Sequence, residues 1–148
     1  MLMRTLLIFA LLFSFAAAQS PPSPTTLAAL RDSYRPLLIF ADRPDSPYLL
    51  IQLRNLNRAA ADLAQRSVIV IAVPFDNPAP TSMALTSDAA LQARRRFNVA
   101  PIDFTVLLLG KDGEEKFRST KPISLQRLDS IIDAMPIRQQ EMMPRSPQ

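Results

Sequence analysis

Two uninterrupted apolar runs limit the possible folds of this 148-residue chain more than any other feature. Residues 37–41 read LLIFA and residues 68–73 read VIVIAV, without the polar alternation of a strand that faces water. Such runs are typical of strands buried on both faces of a sheet. Between them, leucine and alanine recur at helical spacing from Pro47, at the first helical position, to about Arg66, with Ser46 as the predicted N-cap. Asp62 and Arg66 are four residues apart on this helix and are expected to form a modest surface pair. We therefore expect two parallel neighbouring strands, both central, joined by a right-handed helical crossover.

The remaining elements are shorter but carry clear boundary signals. An Asp-Gly pair at residues 112–113 predicts a hairpin turn between two further strands, which should be antiparallel. Pro136 is expected to end the last helix. The other predicted elements are a helix over 26–33, a helix from 86 or 87 to 97, strands over 104–109 and 116–119, and a helix from Ser124. The order β-α-β-α-β-β-α predicts an α/β fold, with a mixed four-stranded sheet between helices on both faces.

The N-terminus has the three regions of a secretory signal. Arg4 supplies the positive charge, residues 6–15 are apolar, and residues 16–18 (AAA) offer a cleavage site. The apolar run is short for a bilayer span, although an uncleaved N-terminal anchor is the alternative. The expected organisation is a signal peptide over 1–18, a solvated Pro/Ser-rich spacer over 19–25, a folded domain over 26–138 and a flexible tail over 139–148. We expect an exported protein, periplasmic or secreted, with no transmembrane segment after signal removal.

The chain contains no cysteine and no histidine. Thiol redox chemistry, thiolate nucleophiles, the usual zinc sites and imidazole general bases are therefore excluded. With only two glycines, Gly110 and Gly113, the P-loop and dinucleotide fingerprints are also missing. We predict no catalytic residues, no metal site and no cofactor, and stability that comes from an ordinary core rather than from disulfides.

The order of elements resembles the thioredoxin fold, and two segments strengthen the likeness. Residues 106–113 (VLLLGKDG) are similar to the third core strand of thioredoxins and the hairpin after it. Residues 40–48 (FADRPDSPY) align on the junction that carries the Cys-Gly-Pro-Cys tetrapeptide, so that residues 45–48 occupy its place. Thr105 stands where thioredoxins have a cis-proline. The resemblance implies a three-layer thioredoxin-like sandwich in which the redox site is missing.

A more specific resemblance is to the DUDES-type domain, a small thioredoxin-like domain of unknown function in secreted bacterial and animal matrix proteins. It is carried by residues 34–40 (YRPLLIF), 109–113 (LGKDG) and 133–138 (DAMPIR). The resemblance implies secretion and a structural role for a set of motif residues. These are Arg35, Lys111, Lys116, Asp133, Met135, Pro136, Arg138 and Glu141. The last segment either docks onto a partner, since methionines adapt to varied surfaces, or folds back on the domain with Arg138 paired to Asp133 or Glu141.

Polar and aromatic side chains follow the two predicted parallel strands, at the edge where open α/β sheets bind ligands. Such carboxylates could bind a divalent cation or act as an acid–base pair. Alternatively, Asp and Ser serve there only as turn and cap residues. The candidate binding residues are Asp42, Arg43, Asp45, Ser46, Tyr48, Phe75, Asp76, Asp103 and Thr105.

Arg94, Arg95 and Arg96 form the one dense charge cluster in the sequence. The cluster is a candidate anion-binding site for phosphate, a lipid headgroup, a sulfated glycan or nucleic acid. Alternatively, it is the solvated last turn of a helix, where cations favour the negative end of the dipole. Three consecutive residues point in three directions, and no aromatic residues are interleaved with them. Nucleic acid is therefore not an expected partner.

Two function classes remain open from the sequence. The first is an exported, redox-inactive module that binds an envelope or extracellular protein or a small ligand. The second is an envelope enzyme that works without thiols and uses carboxylates and arginine on a small substrate.

Overall fold

The structure, a computed structural model, describes residues 23–76 and 81–144. The predicted signal peptide and residues 19–22 of the predicted spacer lie outside the described residues. The elements are β1 (Ser23–Thr25), α1 (Leu27–Leu30), β2 (Arg35–Ala41), α2 (Pro47–Asn57), α3 (Ala60–Gln65), β3 (Val68–Pro74), β4 (Met83–Leu85), α4 (Ser87–Arg96), β5 (Thr105–Leu109), β6 (Glu115–Ser119), α5 (Leu125–Asp133) and α6 (Pro136–Met142). In this part of the chain, no helix is both long and apolar enough to cross a membrane.

Four strands form one mixed sheet in the order β3-β2-β5-β6, which confirms the predicted α/β class. β2 and β3 are parallel neighbours, as predicted, with Leu37 opposite Val70 and Phe40 opposite Val73. β5 pairs antiparallel with β2 and with β6. The prediction that both parallel strands are central is correct for β2 and wrong for β3, which lies at the edge of this sheet.

The apolar run of β3 is explained by what covers this edge strand. The segment that begins at Thr81 lies alongside β3, and the Thr81 hydroxyl accepts a hydrogen bond from the backbone N–H of Ala72 at 3.2 Å. The Thr81 hydroxyl in turn donates to the carbonyl of Met83 at 2.7 Å. β4 then pairs in parallel with β1, so residues 23–25 of the predicted solvated spacer are a strand. An edge strand with a covered face and side can thus be as apolar as a central one.

Every residue of β2 is buried, because the strand contributes to a separate core on each face of the sheet. Leu37 and Ile39 pack with residues of α2, α3 and α5 on one face. Leu38 and Phe40 pack with residues of α1 and α4 on the other. Arg35, which was expected to lie before the strand, belongs to it and is 1% exposed.

The N-terminal boundaries of α4 and α5 agree with the sequence, but the helix predicted after Ser46 does not. Thr86 and Ser124 each accept a hydrogen bond from a backbone N–H in the first turn of α4 and α5. Asn98 has a φ of 53°, the left-handed conformation expected of a residue after a helix. The single helix predicted from Pro47 to Arg66 is wrong, because it breaks between α2 and α3. Ala59, at the break, has a φ of −125° and is buried.

The C-terminal segment is also more regular than predicted. Pro136 lies after the end of α5, as expected, but it also opens α6, which ends at Met142. Residues 139–142 of the predicted flexible tail are therefore helical, and residues 145–148 lie outside the described residues. The local sequence did not reveal α6, because this helix buries none of its residues and so has no buried apolar stripe. Its contacts with distant parts of the chain include ion pairs with Arg35 and Lys111.

Candidate functional site

The carboxyl ends of β2 and β3 bring two loops side by side. The backbone N–H of Phe75 donates to the carbonyl of Ala41 at 2.9 Å, and that of Asp76 donates to the carbonyl of Asp42 at 3.3 Å. The loop before β5 joins the same edge, because Thr105 pairs with Phe40. We call this edge, formed by residues 42–48, 75–76 and 102–105, the rim. The structure thus brings together the candidate residues that follow β2 and β3 and those that precede β5.

Two carboxylates of the rim, those of Asp42 and Asp45, pair with a neighbouring cation at the surface. Arg43 lies 2.9 Å from Asp45 and 3.7 Å from Asp42, and its side chain is 58% exposed. Exposed ion pairs of this kind contribute at most about 1 kcal/mol, because water screens them. Among residues 23–76 and 81–144, no three acidic side chains come together as a metal-binding group. These aspartates have the environment of turn residues rather than of a buried acid–base pair.

Apolar side chains give the rim its binding potential. The ring of Tyr48 packs edge-on against Phe104, with the ring centroids 5.3 Å apart. Tyr48 is 45% exposed, Phe75 51% and Ile102 82%. Thr105 is buried beneath them and does not reach the surface. Large exposed apolar side chains gathered at one edge are characteristic of an interaction surface.

Ser46 does not act as the sequence suggested. It is the N-cap residue of α2, but its side chain makes no capping hydrogen bond, and the residue is buried. Its backbone N–H instead donates to the carbonyl of Arg43 at 3.2 Å, which closes the turn between β2 and α2.

Arg94 joins the loops of the rim from below. Its Nη2 donates to the carbonyls of Ala41 at 2.7 Å and Val73 at 2.8 Å, and its Nη1 donates to the carbonyl of Ala100 at 2.9 Å. The guanidinium also lies 5.2 Å from the ring centroid of Phe40 and 5.6 Å from that of Phe75. One buried side chain therefore fixes the ends of two strands and the loop that leads to the third.

Burial lowers the pKa of Arg94, and the nearby Asp103 carboxylate opposes that shift. The expectation of a solvated last helical turn is wrong for this residue, which is only 6% exposed. The sequence contained a partial signal for the burial of Arg94. Arg94 follows Ala90 by four residues and borders the buried stripe of Ala89, Ala93 and Phe97 on α4.

The three arginines do not form a single anion-binding patch. Arg94 points under the rim, whereas Arg95 is exposed. Arg96 donates to the carbonyl of Gly113 at 2.9 Å and lies 3.4 Å from Glu114. The expectation that three consecutive residues point in different directions is confirmed, and the predicted cluster is divided among three environments.

The motif residues meet at the opposite end of the domain in a network of ion pairs. Glu141 lies 2.7 Å from Lys111, 3.2 Å from Arg35 and 3.5 Å from Arg138. Burial acts to raise the pKa of Glu141, but hydrogen bonds from Lys111 and Arg35 outweigh it and lower the pKa to about 2. The predicted pairing of Arg138 is confirmed with both partners, since its Nε is 3.4 Å from Asp133.

Two further motif residues have local roles, and one residue of the network was missed. Lys116 lies 2.6 Å from Asp112 within the hairpin, and Met135 is the N-cap residue of α6. Arg66 was expected to pair with the Asp62 side chain four residues away. Instead its Nη2 lies 2.8 Å from Asp133, and this hydrogen bond raises the pKa of Arg66. No local pattern could reveal a partner 67 residues away.

The fold and the rim together define a thioredoxin-like domain that contains no cysteine. Solved structures with a similar fold include the reduced 2-Cys peroxiredoxin of Plasmodium vivax, with 17% identity and a TM-score of 0.60. The match covers 79% of this chain and 85% of that one. Thioredoxin peroxidase I of Plasmodium yoelii has 15% identity and a TM-score of 0.58, covering 80% and 82%. StoA from Bacillus subtilis has 16% identity and a TM-score of 0.50, covering 67% and 82%.

The chain itself belongs to the family described as "Domain of unknown function (DUF4174)", which matches residues 26–141. None of the curated proteins matches it. At these identities the solved structures establish the fold alone. Two of them are named as a peroxiredoxin and a thioredoxin peroxidase, whereas this chain contains no cysteine.

Proposed function

We propose that the protein is an exported, redox-inactive binding module that contacts its ligand through the rim. The observation that supports this most directly is the position of Arg94. Its three hydrogen bonds fix the ends of β2 and β3 and the loop before β5, which are the backbone segments next to the rim, before any ligand arrives. A surface that is fixed in advance loses less conformational entropy on binding.

The charges of the rim indicate the chemistry of the ligand. Asp42, Asp45, Asp76 and Asp103 surround the exposed apolar side chains, and Arg43 is the cation among them at the surface. Electrostatic complementarity to the rim favours a partner protein that presents an apolar side chain beside basic residues. The enzyme hypothesis receives no such support, because Asp42 and Asp45 pair with Arg43 at the surface and Asp76 and Asp103 are exposed.

Selection of displayed peptides on the purified chain tests the role of the rim. The rim variant combines Tyr48→Ala and Ile102→Ala, and the matched control is Ile137→Ala, a similarly exposed apolar residue on α6. We expect peptides selected on the wild type to bind the rim variant about tenfold more weakly, since the loss of a central anchor such as Tyr48 costs more than about 1 kcal/mol. Equal binding to the rim variant and the control would refute the rim as the contact surface.

We also propose that the protein is a DUDES-type domain, a more specific assignment than the family that its sequence matches. In addition, we propose that residues 1–18 direct export. Mass spectrometry of the protein isolated from the envelope and the medium tests whether residues 1–18 direct export. A mature N-terminus at Gln19 is expected, whereas an intact Met1 in the membrane fraction would indicate the uncleaved anchor.

A further inference from the structure

A groove of about 610 Å³ opens beside the end of β2 that is farther from the rim. It lies between α1, α4 and the turn that joins β5 to β6. Its floor is apolar and is formed by Leu30, Pro36, Ala89, Ala93 and Leu109. The volume is within the range of sites that bind small ligands, about 300–1,000 Å³.

Two guanidiniums meet at one end of the groove. Arg31 lies across Gly113, with its Nε 2.8 Å from the position that a Cβ would occupy there. Arg96 donates to the carbonyl of the same glycine at 2.9 Å. Within residues 23–76 and 81–144, Arg31 has no ion-pair partner, and Arg96 has only the exposed Glu114 at 3.4 Å. This end of the groove is therefore complementary to a carboxylate.

Polar groups of a different kind line the rest of the groove. Asp88, Gln92 and Arg96 are spaced four residues apart on α4, so they form a stripe along its length. Asp88 is thus separated from Arg96 by about 12 Å along the helix axis. That span corresponds to three or four residues of extended peptide, each about 3.3–3.6 Å long.

We propose that this groove binds a short extended peptide by its free C-terminal carboxylate. The carboxylate pairs with Arg31 and Arg96, apolar side chains lie on the floor, and the peptide's ammonium group approaches Asp88. A fatty acid would satisfy the guanidiniums and the floor but would leave Asp88 and Gln92 beside an alkyl chain. The site is independent of the rim and of the function proposed for it.

The probe is a tetrapeptide of alternating alanine and leucine, titrated into the ¹⁵N-labelled chain at low ionic strength and followed by NMR. We expect the peptide with a free carboxylate to bind about tenfold more tightly than its C-terminal amide, the effect of one charge-assisted interaction. N-terminal acetylation should weaken binding about threefold, and Asp88→Asn should abolish that difference. Resonances of the groove, rather than of the rim, should shift.

Arg31→Ala should weaken binding of the free peptide about tenfold, whereas Arg127→Ala, an exposed arginine on α5, should not change it. Tyr48→Ala, in the rim, should also leave peptide binding unchanged, so this site and the rim can fail separately. Equal affinity of the wild type for the free peptide and its C-terminal amide would overturn the proposal. Equal affinity of Arg31→Ala and Arg127→Ala for the free peptide, or no binding of the peptide to the wild type, would also overturn it. Decanoate that binds as tightly as the peptide would identify an acyl carboxylate as the occupant instead.

Discussion

Arg94 shows how one side chain can replace a covalent constraint in a domain without cysteines. Its charge is removed from water, and the cost is offset by three backbone carbonyls and two aromatic rings. Hydrogen bonds to a charged group are stronger than neutral ones, and carbonyls left without a donor in the interior are costly. The residue therefore contributes to folding as well as to the geometry of the rim.

Replacing Arg94 with methionine, which retains an apolar stem, should lower the free energy of unfolding by about 3 kcal/mol. The reason is the loss of donors to the carbonyls of Ala41, Val73 and Ala100. Urea denaturation measures the change. Arg95→Met is the matched control, because the neighbouring side chain is exposed and should change stability by less than about 0.5 kcal/mol. Similar values for the two variants would contradict the role given to Arg94.

Glu141 should make stability depend on acid pH. Its pKa of about 2 in the folded protein is below that of an unfolded glutamate, so its contribution is complete above about pH 5 and is lost toward pH 2. Because water partly screens these ion pairs, Glu141→Gln should reduce the free energy of unfolding at pH 7 by about 1–2 kcal/mol. The difference from wild type should vanish near pH 2, as measured by denaturation across that range.

Glu115→Gln is the control for this pH dependence. Glu115 has a lowered pKa through its hydrogen bond with Arg118, but that pair is at the surface. Its loss should cost no more than about 1 kcal/mol. A Glu141→Gln curve parallel to that of wild type from pH 7 to pH 2 would show that the network does not stabilise the fold.

Single residues were predictable from the sequence where their partners are near in the chain. Thr86 and Ser124 cap helices that begin beside them, and Asn98 follows the helix that it ends. The backbone partners of Arg94 and the pairing of Glu141 with Arg35 and Lys111 were not predictable, because these partners come from segments that meet only after folding. A charged residue in the sequence favours an exposed position until such a partner is known.

Among the elements, α6 differs from the other helices in how it is held. It buries no residue, whereas α5 places Leu128 and Ile132 in the core. The contacts of α6 include the ion pairs of Glu141 and Arg138. Salt screens charges at the surface much more than it weakens apolar packing.

Raising NaCl from about 0.05 to about 1 M should therefore accelerate amide exchange in α6 about tenfold while α5 remains protected. Hydrogen–deuterium exchange followed by mass spectrometry compares the two helices within one sample. Equal protection of α6 at both salt concentrations would mean that apolar contacts hold it.

The sequence predicted the helices and strands that have a strong hydrophobic pattern and missed those that depend on tertiary contacts. The strands β2, β3 and β5 have apolar runs that predict them unaided. The break between α2 and α3 has neither proline nor glycine, and the short strands β1 and β4 form only because they pair with each other.

For the whole molecule, β2 makes the two faces of the sheet interdependent. Leu37 belongs to one core and Leu38 to the other, although they are adjacent in the chain. The order of elements was enough to predict the α/β class, because parallel strands joined by helices have few possible arrangements. It could not predict that β3 lies at the edge, since the segment that covers β3 begins at Thr81, where the sequence predicts neither a strand nor a helix.

Leu37→Ala and Leu38→Ala should each lower the free energy of unfolding by about 3–5 kcal/mol, with one cooperative transition in both variants. Urea denaturation followed by circular dichroism and by NMR signals from each core measures this. A separate early transition for one core in either variant would contradict the interdependence of the two faces.

The hydroxyl of Thr81 also affects how strands of two molecules could pair. By occupying the N–H of Ala72, it removes a donor with which a strand of another molecule would otherwise pair. The apolar sequence of β3 would be prone to cross-β aggregation if its edge were open. The Thr81 hydroxyl is therefore expected to oppose edge-to-edge pairing between molecules through β3.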